Sequence, residues 1–128
     1  MARLPERLGT VYKGGQGQWS WALHRITGVA VILFLFVHIA NTALVAFGED
    51  TYNKVVKSYH NPLIRLLEMG LAGAVLFHAL NGLRIILIDF VPRMADFHKQ
   101  LFRIVVGLYI MLMVPAMFFM GRGLVRSL

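Results

Sequence analysis

Three stretches of this chain are too long and too apolar for strands or surface helices of a soluble domain: about residues 21–47, 63–91 and 101–120. Roughly 20 consecutive apolar residues carry an α-helix across the hydrocarbon core of a bilayer. In lipid every backbone N–H and C=O must be satisfied within the protein, so such a segment is driven to helix. The expected fold class is an all-α membrane protein, with three transmembrane helices in a single anchor domain over residues 1–128. Composition agrees: 58% of residues are hydrophobic, 15% are charged, and mean hydropathy is +0.66. Glycine, present twelve times, suits close helix packing in lipid.

The connections are read from their polar residues. Residues 1–20 form a polar arm with Arg3, Arg7, Lys13, Gly14, Gly15 and Gly17, expected to lie on the membrane surface or on a partner. The arm has no apolar core, so no cleavable signal peptide is read there. Trp19 and Trp21 stand at the polar-to-apolar boundary, where aromatic belts form. Gly48-Glu49-Asp50 ends the first span, residues 48–62 read as a polar loop, and Asn61-Pro62 is a natural start for the second helix. Pro92 stops that helix, and residues 92–100 form a short basic loop. Pro115 predicts a kink in the third span.

Three spans put the two termini on opposite sides. The N-terminal side holds Arg3, Arg7, Lys13, Arg25, Arg84, Arg93, Lys99 and Arg103; the other holds Lys54, Lys57, Arg65, Arg122 and Arg126. Eight against five favours a cytoplasmic N-terminus by the positive-inside rule. The net charge of +7 is dispersed, so it reads as membrane anchoring and topology, with no nucleic-acid partner. The chain has no cysteine, which excludes a thiolate-held iron–sulfur cluster within it. It carries no phosphate cradle, catalytic triad, paired-carboxylate site or zinc spacing.

The chemistry then rests on polar residues inside the spans. His78 falls near the middle of the second. A histidine there has no water to solvate it and marks a functional site by default. Gly70, Ala74, His78 and Gly82 recur every four residues and share one helix face. That stripe leaves room for a flat macrocycle or for a close helix. Imidazole is a usual protein ligand of haem iron, so His78 is a candidate axial ligand; a cross-helix hydrogen bond is the alternative. His38 is the second intramembrane histidine. His38-Ile39-Ala40-Asn41 echoes His78-Ala79-Leu80-Asn81, and His38 is placed a few Å nearer the outer side at about 1.5 Å per residue. It is a candidate second axial ligand, or a helix-packing residue. His24 and Arg25 sit where the first span enters the membrane. Arg25 and Arg84 could pair with haem propionates, Arg25 could donate to a quinone carbonyl, and Ser20 and Trp21 are near enough to join that site. Asp89 is the protein alternative for Arg84. Tyr52 and Tyr59 could line a quinone pocket on the outer side, while His60 and His98 are given no role.

Two stretches carry a family resemblance. Ser20-Trp21-Ala22-Leu23-His24-Arg25-Ile26-Thr27-Gly28 is similar to a Ser…His-Arg-x-[Ser/Thr]-Gly signature. His78-Ala79-Leu80-Asn81-Gly82-Leu83-Arg84…Asp89 is similar to a His-x-x-x-Gly-x-Arg-His…Asp signature. Both resemble the cytochrome b subunit of succinate dehydrogenase, the larger membrane anchor of complex II, and the likeness covers about residues 18–90. It implies that His78 ligates haem b and that His24 and Arg25 lie near the propionates and an inner quinone site. It implies a flavoprotein that oxidises succinate, an iron–sulfur subunit, and a second small membrane anchor that completes the haem site in a shared helical bundle. Electrons would pass from FAD through iron–sulfur clusters to quinone, in a multi-pass protein of the cell inner or plasma membrane, with a higher oligomer of the whole complex open.

Three departures shape the expectation. The family serine lies three residues before the histidine; here that position is Trp21, with Ser20 one further back, so the inner quinone site is altered or closed. The histidine that often follows the motif arginine is Ile85. His38 is extra, placed as a second haem ligand would be in members that reduce menaquinone. Two haems are therefore favoured over one, with menaquinone as the substrate. The rival readings are a haem-free proton-path or transporter subunit and a purely structural anchor.

Overall fold

A computed structural model describes residues 15–128, almost entirely as helix. Helix α1 spans Gln16–Ala43 and ends in a 3-10 turn, Leu44–Phe47; α2 spans Glu49–Ser58; α3 spans Pro62–Phe90; a second 3-10 turn, Pro92–Phe97, leads into α4, His98–Ser127. Three of these elements are long and apolar enough to cross a membrane, over Gly17–Phe47, Pro62–Phe90 and Pro92–Arg126. The chain is an all-α membrane protein. Residues 1–14 of the polar arm lie outside the described residues, and its end forms the first turn of α1.

α3 is the central element, packed against α1 and against α4. Among the described residues only Val105 and Met113 are buried apolar side chains, whereas the buried polar ones are Ser20, Asn81 and Arg84. This inverts the ordering of a water-soluble domain. Ile26, Val29, Leu33, Phe36 and Val37 of α1 all stand exposed. Lipid or a neighbouring membrane helix costs such side chains nothing, and the polar groups turn inward to find each other.

Several helix ends have local causes. Asn61 caps α3: its side chain accepts from the Leu63 N–H at 2.9 Å, and Pro62 follows in the first turn. Asn61→Ala is expected to cost about 1 kcal/mol at that end. Amide exchange at Leu63 should then accelerate about fivefold; an unchanged rate would show that the cap does not hold the end. Gly48 has φ +110°, a conformation open in practice to glycine, and it turns the chain from α1 into α2.

The polar loop expected over residues 48–62 contains helix α2. Ten residues are marginal as an isolated helix, so packing must support it. Tyr52, Val55 and Val56 are half-buried, whereas Asn53, Lys54 and Lys57 are exposed. Glu49 and Asp50 open the helix and Lys57 closes it, each matching the helix dipole. The Tyr59 hydroxyl donates to Asn41 Oδ1 at 3.0 Å and pins the connection to α1. α4 continues through Pro115 without a break, with Pro115 itself exposed.

Candidate functional site

The two histidine motifs meet where α1 crosses α3. The rings of His24 and His78 stack with centroids 4.1 Å apart and planes 12° from parallel. His78 Nδ1 lies 3.2 Å from the backbone carbonyl of His24 and 3.4 Å from Thr27 Oγ1. A carbonyl oxygen can only accept, so Nδ1 must carry the proton in that bond. Thr27 is compatible with this. Its hydroxyl has carbonyl acceptors of its own, Leu23 at 2.8 Å and His24 at 3.0 Å, which leaves a lone pair toward Nδ1. His78 Nε2 has no hydrogen-bond partner among the described residues and is not sealed from the surface.

Glycine makes this approach feasible. A Cβ on Gly28 would stand 3.1 Å from His78 Cε1 and 3.5 Å from Nδ1, so any side chain there contests the space of the ring. A Cβ on Gly82 would meet His24 Cε1 at 3.6 Å. The small-residue stripe along α3 is thus divided: Gly82 faces the histidine pair, whereas a Cβ on Gly70 would meet no heavy atom within 4 Å. Beside the pair lies an open groove of about 540 Å³, lined by His24, His78, Ala79, Gly82, Leu83, Ile85 and Ile86. An accessible imidazole nitrogen in an apolar wall with small residues is what an axial ligand to a flat macrocycle requires.

One turn nearer the start of α1 lies a polar knot. Arg84, 8% exposed, donates through Nη1 to Ser20 Oγ at 3.3 Å and to Asn81 Oδ1 at 3.2 Å. Its Nη2 donates to the backbone carbonyl of His98 at 3.1 Å, and its guanidinium lies 5.3 Å from the centre of the Phe102 ring. Asp89 is not among its partners. Ser20 Oγ in turn donates to the Gly17 carbonyl at 2.9 Å. The hydroxyl proton is therefore engaged with the backbone of α1.

A cleft of about 320 Å³ opens here, bounded by Gly17, Ser20, Trp21, His24, Asn81, Arg84, Ile85, Ile88 and Asp89. Three buried polar atoms around it, His24 Nδ1, Asn81 Nδ2 and Arg84 Nε, have no partner. Trp21 is exposed at its rim, with the Arg25 guanidinium 4.8 Å from the centre of its ring.

The remaining candidates lie apart from this centre. His38 is exposed, and its ring stacks 5.3 Å from Phe34 on the same helix. Its companion Asn41 holds Tyr59, whereas Asn81 holds Arg84, so the two halves of the His–Asn echo perform different tasks. Among the described residues no three His, Cys, Asp or Glu side chains cluster as a bare metal site. Haem makes no such demand, because its porphyrin supplies four of the iron's ligands.

Asn81, Gly28, Thr27 and the His98 carbonyl take part here without a role assigned from sequence. Thr27 and Gly28 end the first motif, and their place in it was the available signal. The His98 carbonyl is a backbone atom, and residue identity carries no trace of it.

Comparison with known proteins identifies the family. The family model described as succinate dehydrogenase/fumarate reductase transmembrane subunit matches residues 6–116. The chain is 45% identical over 114 residues to a Mycobacterium tuberculosis protein named succinate dehydrogenase 2 membrane subunit SdhC, across 89% of this chain and 82% of that protein. It is 35% identical over 74 residues to the succinate dehydrogenase hydrophobic membrane anchor subunit of Halobacterium salinarum, covering 57% of each chain. A protein of the same name from Archaeoglobus fulgidus is 37% identical over 70 residues, which is 55% of this chain and 60% of the relative. The family match takes in both histidine motifs and reaches well into the third spanning helix, so the chain belongs to the succinate dehydrogenase and fumarate reductase transmembrane subunits.

Proposed function

We propose that this chain is a haem b-bearing anchor of succinate dehydrogenase, serving electron transfer from an iron–sulfur subunit to membrane quinone. As a membrane subunit of that complex it works with the other subunits. The finer assignment is to a flavoprotein, an iron–sulfur protein and a second small anchor that would complete the haem site. One observation carries the haem reading: His78 Nδ1 faces the His24 carbonyl at 3.2 Å, which leaves Nε2 unprotonated on a ring that lines an apolar groove. A second hydrogen bond of this kind is how ligating histidines are normally oriented and made more basic.

Bound there, haem b supplies a one-electron carrier. The chain's own residues hold and tune it. His78 would hold the iron through Nε2, and the His24 carbonyl would fix its tautomer and ring plane. Ala79, Gly82, Leu83 and Ile86 exclude water from that side. His24, at the junction of groove and cleft, and Arg25, exposed at the inner rim, serve the propionates. Trp21 and Arg25 form this chain's contribution to an inner quinone site, with Arg25 as donor to a quinone carbonyl. Ser20 takes no part as a donor, since its proton already goes to Gly17. His38, apart from this centre, is assigned to a second haem completed by another subunit, a placement that suits menaquinone reduction toward the outer side.

The test is the haem content of the purified complex, with His78→Ala and His38→Ala made separately. We expect His78→Ala to remove one haem from the reduced-minus-oxidised spectrum while the three helices remain in the membrane. A spectrum unchanged by that substitution overturns the assignment. Loss of a second haem in His38→Ala supports two haems; full retention restricts the chain to one.

A further inference from the structure

Arg84 is more heavily engaged than a propionate-binding arginine needs to be. Its two terminal nitrogens reach three acceptors on three helices: Ser20 in the first turns of α1, Asn81 on α3 and the His98 carbonyl at the start of α4. Asn81 is 1% exposed and Ser20 4%. A planar guanidinium presents its donors in a rigid fork, so bonds to separate helices fix their relative height and rotation. Ser20 precedes His24 by one helical turn and lies on the same face of α1. The height of Ser20 against Arg84 therefore sets the height of the His24 carbonyl against His78.

We infer that Arg84 is a positioning residue. It holds α1 in the register that places the His24 carbonyl on His78 Nδ1, and in this way it tunes the electron-donating strength of the His78 imidazole. The inference rests on the proposed haem ligation by His78, and it departs from the expectation that Arg84 serves a propionate. Three features favour the positioning part. The guanidinium is buried; each Nη atom donates to the protein, with Nε alone unpartnered; and the residue toward which it reaches on α1 is a neutral serine whose own proton is engaged elsewhere.

The two parts predict different redox behaviour. A ligand histidine whose Nδ1–H donates firmly is more basic and stabilises ferric iron. Slackening that bond raises the midpoint potential. A propionate partner acts instead through its positive charge, which a lysine preserves. The experiment is a redox titration of haem in the intact membrane complex for Arg84→Lys, Ser20→Ala and the double variant, all without loss of positive charge. Ser20→Thr keeps the hydroxyl and serves as the conservative rescue. Lysine is a point donor on a flexible stem and cannot reproduce the three-helix fork.

We expect Arg84→Lys and Ser20→Ala each to raise the potential. The double variant should rise no further than the larger single change, and Ser20→Thr should stay at the wild-type value. A potential unmoved by Ser20→Ala, or lowered by either single change, overturns the inference. Additive shifts in the double variant also overturn it, because the two residues would then act separately. Should Arg84→Lys fail to assemble, Ser20→Ala and Ser20→Thr decide it alone. A pigmented wild-type complex with an unmoved Ser20→Ala defeats this inference only. A wild-type complex without haem defeats the proposed function and this inference together.

Discussion

Gly28→Leu is expected to abolish haem binding at His78 while the protein still inserts in the membrane. A single Cβ at this position already stands 3.1 Å from His78 Cε1, tighter than ordinary van der Waals contact. Leucine adds three further carbons in the direction of the ring. Either the imidazole rotates away, or α1 and α3 separate; both break the bond from Nδ1 to the His24 carbonyl. Overpacking of this kind costs about 1–3 kcal/mol, which long apolar helices survive because lipid, not the partner helix, holds them in place. Gly28→Ala requires the ring to give by only a few tenths of an ångström, so partial haem retention is the expected result there. Haem content and the membrane-fraction yield should be measured together. Full haem occupancy in Gly28→Leu would mean that the close approach of α1 is not needed for ligation.

Gly73→Leu should have the second large effect, on the other side of α3. Gly73 is buried, and a Cβ there would fall 2.9 Å from the Tyr109 hydroxyl and 3.3 Å from Met113 Cε. The methionine tail can fold aside. The tyrosine is less free, since its ring meets Phe77 edge-on at 6.0 Å. Leucine would therefore push α4 off α3, again at about 1–3 kcal/mol. That movement carries the His98 end of α4 with it and loosens the Arg84 bond to the His98 carbonyl. We expect a lower thermal inactivation temperature of the solubilised complex, with haem still bound at room temperature, where the remaining stability of a folded protein suffices. An unchanged inactivation temperature would show that α3 and α4 tolerate separation. The two glycines are thus expected to separate two effects, Gly28 the space around His78 and Gly73 the cohesion of α3 and α4.

Polar residues inside the membrane were visible in the sequence because each stands out against an apolar background. That is why His78, His24, Arg84 and Ser20 could be singled out, and the fold brings these four to one end of the α1–α3 crossing. Their roles were not visible to the same degree. An arginine and a serine sixty-four positions apart carry no pattern that pairs them. Helix α2 was missed for a related reason. Its ten residues have a weak preference for helix, and Tyr59 reaching Asn41 is a long-range contact.

Hydrophobic length alone made this chain a set of membrane-spanning helices, because a bilayer leaves an unpaired backbone nowhere to go. The same reasoning placed His78 and Arg84 against protein, since lipid solvates neither. Packing of α1 on α3 settled the rest: that His24 presents its carbonyl to His78, that glycine clears the space, and that Arg84 binds protein acceptors on three helices. Those outcomes depend on crossing geometry at the level of a few tenths of an ångström. Side-chain volume and helix register decide that scale together, and they do so only once the helices have met.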